Sequence, residues 1–345
     1  MAQTLISRAL TNLPVGISRV WLRRILLANL VAQVGIVLTG GVVRLTGSGL
    51  GCPTFPECVP GSYIPVVNQP EGIHKFIEFG NRMLTTVVSV LAVAALLAVL
   101  RQVRAGQGGR RRLALGAVPF LGVMAQALIG GITVLTQLNP TVVAVHFLVS
   151  MGLIAGSTLL LLVAVPPASS DPVPSAPAPR LARRLAAAAG VTAALVLILG
   201  TMVTGSGPHS GDAADPNRFS FDIPEVTRTH SGLVWLFCAL VLAIAVTLSR
   251  ATGQDAARRW TFALLGVTAA QGTIGYLQYA LGVPAWLVGV HMLGASLFVI
   301  TTTGTVHAVF RRRPLESRLD PLPAFGQLGS LPGKDQPDQS LPIQR

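Results

Sequence analysis

Apolar residues gather in eight runs of roughly 20 residues, separated by short polar or Pro/Gly-rich segments. A run of that length crosses a hydrocarbon core of about 30 Å as a helix. The runs predict spans at 25–45, 76–100, 114–135, 141–165, 185–204, 226–249, 260–281 and 286–309. The expected fold class is an all-α integral membrane protein with eight transmembrane helices. Between the fourth and fifth runs lies "PPASSDPVPSAPAPR" (166–180), too rich in Pro, Ser and Ala to pack. The chain beyond Pro314 is equally polar and reads as disordered. The expected organisation is an N-terminal segment (1–24), a four-helix bundle (25–165), a linker (166–184), a second four-helix bundle (185–309) and a tail (310–345). The first run, about Ile25 to Val43, is longer than the apolar stretch of a secretion signal, and no small-x-small cleavage site follows it. It reads as a first transmembrane helix.

The two halves share landmarks in one order. "RLTGSGLG" (44–51) follows span 1 and "MVTGSGPH" (202–209) follows span 5. "AQALIGG" (125–131) in span 3 is matched by "AQGTIGY" (270–276) in span 7. Gln126 precedes His146 by 20 residues, and Gln271 precedes His291 by 20. This is the signature of a duplicated four-helix unit. An even number of helices per unit gives both copies one orientation, so the repeat is parallel, with its axis along the membrane normal.

Charge changes the picture only through its placement. The net charge of +13 could point to nucleic acid. The arginines, however, sit before span 1 (Arg8, Arg19, Arg23, Arg24) and after the even spans (Arg101, Arg104, Arg110 to Arg112; Arg180, Arg183, Arg184; Arg250, Arg258, Arg259; Arg311 to Arg313). The alternate loops hold very few. That is the positive-inside pattern, with both termini cytoplasmic and the chain in the cell membrane, and it leaves no role for nucleic acid.

Four of the six histidines fall within about two turns of the outer mouth of an even span: His74, His146, His230 and His291. Every even span starts from the outer face, so these side chains lie at similar depth. A lone membrane histidine is ordinarily hydrogen-bonded to a neighbouring helix. His230 and His291 together, on two helices of one unit, suit bis-imidazole ligation of a haem. Zinc is poorly matched, because no thiolate or third ligand accompanies them. In the first half His146 corresponds to His291. Aligning "EFGNRML" with "TRTHSGL" puts Asn81 opposite His230. An amide is a poor iron ligand, so the first half offers one histidine at the matched positions. His74, two turns outward, either supplies the missing ligand or is an interfacial residue.

Glu78 lies three residues before Asn81 and shares its face. A carboxylate there is costly unless a cation pairs with it, and Arg82 stands at i+4. The pair is either a structural ion pair or an acid/base and cation-stabilising group beside a substrate. Arg44 and Arg228, near the outer ends of spans 1 and 6, suit a haem propionate and a membrane-lipid phosphate equally. Cys52 and Cys58 lie in "GLGCPTFPECVPG", where Pro and Gly turns bring them together in a compartment that permits disulfides. They are expected to be bonded, with free thiols and a redox role as the alternatives. Cys238, mid-span, reads as packing.

The eight spans, the duplicated halves, "TGSGLGCPTFPEC", "IEFGNR" and the two late histidines resemble the haem A synthase family over about residues 20–310. The resemblance implies oxidation of the C8 methyl of haem O to a formyl, by two hydroxylations and loss of water, for aa3-type oxidases. It implies a haem b on His230 and His291, and substrate haem O in the first half on His146. It implies a catalytic Glu78 with Arg82 holding it or a propionate, and paired Cys52 and Cys58. Many members carry His where this chain has Asn81, so the substrate iron is expected to have an open position or one filled by His74, with Asn81 hydrogen-bonded to a water there. A complex with haem O synthase, the protohaem farnesyltransferase, is a further expectation, as is an electron acceptor that no motif identifies. The competing readings are a b-type electron-transfer protein, which needs no substrate, and a parallel-repeat transporter.

Overall fold

A computed structural model describes residues 16–165, 177–212 and 216–311. Most of the expected N-terminal segment, the Pro-rich linker and the tail lie outside the described residues. Those described form eight helices: α1 (Arg19–Leu45), α2 (His74–Arg104), α3 (Arg110–Leu135), α4 (Pro140–Ala164), α5 (Arg180–Ser206), α6 (Ile223–Ser249), α7 (Asp255–Ala280) and α8 (Ala285–Phe310). Seven are long and apolar enough to cross a membrane. The eighth, α7, has the same length and a more polar sequence, and packs between α6 and α8. The fold is that of a multi-pass, all-α membrane protein.

Helix starts follow local chemistry. Ser18 accepts from the Trp21 amide at 3.3 Å, Asn139 from Thr141 at 3.0 Å ahead of Pro140, and Asp222 from Glu225 at 2.9 Å. Each side chain satisfies a donor that the first turn leaves open. At the arginine-rich end the helices run up to six residues past the apolar runs, as at Arg19 against position 25. Hydropathy marks only the part inside hydrocarbon. The backbone stays helical beyond it while the arginines reach the interface.

Each half closes into a ring. α1 packs on α2, α2 on α3, α3 on α4 and α4 on α1; α5 to α8 repeat the circuit. The halves meet through α4 with α8, α1 with α8, and α4 with α5. That set maps onto itself when the halves are exchanged, as a parallel repeat requires. Small residues allow close approach: Gly122 faces Leu153 across α3 and α4, and Gly304 faces Trp260 across α8 and α7. Asn29 donates to Ser157 at 3.2 Å, a buried polar tie between α1 and α4.

The repeat reaches the turns. Leu138 before α4 and Val283 before α8 both adopt left-handed φ, at 58° and 59°, which bulky residues rarely tolerate. Both amides reach back five residues, Leu138 to the Thr133 carbonyl at 2.9 Å and Val283 to that of Gln278 at 2.7 Å.

The apolar core fills the arginine end of each bundle. In the first it is built from Leu22, Leu26, Ala95, Ala98, Val99, Leu160 and Ala164. The second holds Phe237, Val241, Ile244 and Leu248 against Phe298, Val299 and the alanines of α5. Polar residues gather toward the opposite end, which carries the long loops.

Candidate functional site

Four positions on the even helices stand at one level. On α2 it is Asn81, on α4 His146, on α6 His230 and on α8 His291. Seven residues further along each helix comes a buried apolar side chain: Val88, Leu153, Phe237 and Phe298. Two helical turns separate each position from that core. α2 and α4 sit diagonally in their ring, as α6 and α8 do in theirs. Side chains at these positions therefore approach from opposite sides of a bundle interior.

Each imidazole is seated on a glycine of the preceding helix. A Cβ added at Gly130 would stand 3.3 Å from His146 Cε1, and one at Gly200 3.3 Å from His230 Cε1. At Gly275 the distance to His291 is 3.9 Å. Asn81 lies against Gly40 in the same way, its Nδ2 at 4.0 Å. Gln126 donates to the His146 carbonyl at 2.9 Å and also to Ser150; Gln271 donates to the His291 carbonyl at 3.0 Å. The 20-residue spacing noted in sequence is thus one interhelical hydrogen bond made twice.

Among the described residues, Nδ1 of His146 and of His291 is buried without a hydrogen-bond partner, while the His230 ring lies beside the Val196 carbonyl. A buried imidazole with no hydrogen bond is costly. The His230 and His291 rings on diagonal helices, with the packed core beginning two turns away, match the donor set of a haem iron. The second bundle fits that group with two imidazoles and the first with one.

The first bundle differs at its mouth. Arg82 donates to Glu78 Oε1 from Nη2 at 2.6 Å and from Nε at 3.1 Å. Glu78 Oε2 accepts from the Cys52 amide at 2.7 Å. The guanidinium goes on to the carbonyls of Cys52 (2.7 Å), Thr54 (3.1 Å) and Glu57 (3.3 Å). Glu78 is 5% exposed, and Arg82 is half-buried. Cys52 and Cys58 are joined by a disulfide, both fully buried, and the loop they close is latched to the ion pair. Phe55 of that loop lies on Gly131, next to the glycine that seats His146. The loop therefore caps the bundle from the Glu78 helix across to the His146 pair.

Two residues the sequence reading passed over hold this cap. Lys75, 4% exposed, donates to the carbonyls of Val66 (2.6 Å) and Val67 (2.9 Å). Gln69 donates to the Gly51 carbonyl at 2.5 Å. Neither stands in a recognisable pattern. The one available signal was a lysine beside the glutamate at the start of an apolar run.

The other candidates fall at the rim. His74 begins α2, its Nδ1 2.8 Å from Ser48 Oγ, two turns outside Asn81. Arg44 donates to the carbonyls of His209 (2.7 Å) and Thr204 (3.0 Å), across the boundary between halves. Beside it Gly49 donates to the Gly211 carbonyl at 2.9 Å, and Ser48 and Asp212 form an isolated bridge. Arg228 is exposed, half a turn before His230. Cys238 is a half-buried free thiol.

Residues 23–303 match the COX15-CtaA family model, described as cytochrome oxidase assembly protein. The chain is similar to a heme A synthase of Symbiobacterium thermophilum, 31% identical over 278 residues, covering 75% of this chain and 86% of that protein. It is also similar to heme A synthases of Methylobacterium sp. strain 4-46 (28% over 333 residues, 81% and 89% covered) and Methylorubrum extorquens (29% over 346 residues, 86% and 87% covered).

Proposed function

Because the chain belongs to the COX15-CtaA family of cytochrome oxidase assembly proteins, we propose that it is a haem A synthase, oxidising the C8 methyl of haem O to a formyl. One observation carries the reading at the level of residues. The same four positions recur in both bundles, but one bundle places two imidazoles there and the other places one, beside a buried Glu78–Arg82 pair. Two imidazoles hold a resident haem; one imidazole beside a charged pair receives a substrate.

His230 and His291 would hold a haem b in the second bundle, which when bound supplies one-electron redox chemistry. Arg228 is free to meet one of its propionates. In the first bundle His146 would hold the iron of haem O. Arg82 and the Cys52 amide hold both oxygens of Glu78, so the carboxyl group is oriented before reaction begins. Positive charge developing on the methyl carbon would then meet an oriented carboxylate with no reorganisation. A lone pair of the same carboxylate can take the proton of attacking water. Arg82 positions Glu78 and carries the loop above it. Phe55 and the disulfide loop limit water at that mouth.

The arginines gathered at one end support a reading with both termini on the cytoplasmic side of the cell membrane. Substrate handover from the haem O-forming farnesyltransferase, within a complex, fits a hydrophobic substrate and an intramembrane site. An electron acceptor completes the oxidation. The experiment is identification of the haems extracted from protein purified from a host that makes haem O. Haem b with haem O, its hydroxylated form or haem A is the expected result. Haem b alone would make this an electron-transfer protein, and no haem would overturn both readings.

A further inference from the structure

In the second bundle both of the matched positions are histidines. In the first, the position equivalent to His230 is Asn81, and the protein puts that side chain to use. Thr39 of α1 donates to Asn81 Oδ1 at 2.8 Å. The carbonyl end of the amide is thereby occupied and its orientation set. Nδ2 faces the Gly40 seat at 4.0 Å from where a Cβ would lie, and it donates to no protein group among the described residues. An amide nitrogen has no free lone pair to give a metal, but it has two N–H donors.

Reach matters as well as chemistry. An imidazole carries its outer nitrogen well beyond the point where an asparagine amide ends. Swapping the ring for the amide leaves space along the line on which a histidine there would reach a metal. The single imidazole of α2 does not fill it. His74 lies seven residues outward, about 10 Å along the helix, and its Nδ1 is engaged with Ser48.

We infer that the haem in the first bundle has one protein ligand, His146, and that Asn81, oriented by Thr39, donates a hydrogen bond from Nδ2 to a small ligand at the opposite, open iron position. This rests on the proposed function, since it needs a haem in the first bundle. The ligand class is a water-sized molecule or anion with a hydrogen-bond acceptor on its second atom or a lone pair beside the iron. Asn81 is in this view a substrate-contacting residue distinct from Glu78, and Thr39 a positioning residue behind it.

The test is spectroscopic and uses the full-length protein, purified with its haems and oxidised. Azide is the probe, with electron paramagnetic resonance and optical titration as readouts. The expected wild-type protein has one low-spin bis-imidazole haem and one high-spin haem, and azide converts only the second. Asn81→His should turn the high-spin haem low-spin and abolish azide binding. Asn81→Ala should keep it high-spin and weaken azide about 10-fold, the loss of one hydrogen bond. Thr39→Val should weaken azide in the same direction by less. The second-bundle haem is the internal control for folding, and its signal should not move.

A wild type in which both haems are low-spin and neither binds azide overturns the open position. Appearance of a high-spin signal in His74→Ala would then identify His74 as the ligand. Unchanged azide affinity in Asn81→Ala overturns the donor role while leaving the open position standing. A protein that holds only one haem, and loses it in His230→Ala, overturns the proposed function and this inference with it.

Discussion

In the second bundle the paired positions are His230 and His291; in the first they are Asn81 and His146. The frame around them is common: a glycine seat, a glutamine bonding the histidine carbonyl in α4 and in α8, and an apolar side chain seven residues deeper. What differs is added at the mouth of the first bundle alone, where a buried ion pair is capped by a disulfide loop. Duplication supplied two places for one kind of ligand. In the proposed reading, the carboxylate at the mouth of the first bundle is what fits that place to a molecule that must react and leave.

The comparison can be broken most severely at the second bundle. His230→Ala or His291→Ala should remove formyl production altogether, with loss of the bis-imidazole spectrum; an active variant lacking that spectrum would separate the two bundles' roles. Glu78→Ala comes next. It should lower formyl production about 100- to 1,000-fold, the loss expected for a preorganised charge, while the second-bundle haem stays bound. It also removes the carboxylate from Arg82, which keeps its bonds to the Cys52, Thr54 and Glu57 carbonyls, at a cost of about 2 kcal/mol, visible as a lower unfolding temperature in detergent. Loss of both haems in this variant would make Glu78 structural.

Smaller effects sharpen the contrast. Cys52→Ser with Cys58→Ser opens a short loop and should cost about 2 kcal/mol. Its effect on activity should come through the first bundle, with the bis-imidazole spectrum unchanged. Smallest of all are the seats. Gly200→Ala crowds His230 at 3.3 Å, whereas Gly275→Ala meets His291 at 3.9 Å, an ordinary contact. The first should shift the haem spectrum and cost about 1 kcal/mol; the second should do neither. Equal effects would show that the glycines do not position the rings.

The frame was legible in sequence because it is local or periodic. Eight apolar runs give eight helices, the arginines give their alternating sense, and the paired Gln–His spacing gives the repeat. The Glu78–Arg82 pair was legible at i,i+4, and Cys52 and Cys58 as a bonded pair. What the site adds comes from contacts without local pattern. Gly40 lies 41 residues before Asn81 and Gly200 30 before His230, so unequal loops hide that common seat. Thr39 on Asn81, Lys75 on the loop carbonyls and Cys52 on Glu78 depend on how helices and loops meet. Arg44 shows the same limit: its position suited a propionate or a phosphate, and its Nε and Nη2 bond carbonyls of the other half.

The division of labour between the bundles is tested most directly by the haem content of two single variants purified from a host that makes haem O. His291→Ala should lose haem b and retain haem O. His146→Ala should retain haem b and lose haem O and its oxidised forms. If either substitution removes both kinds of haem from a protein that remains folded, or if His146→Ala removes haem b alone, the account of one resident site and one substrate site is wrong.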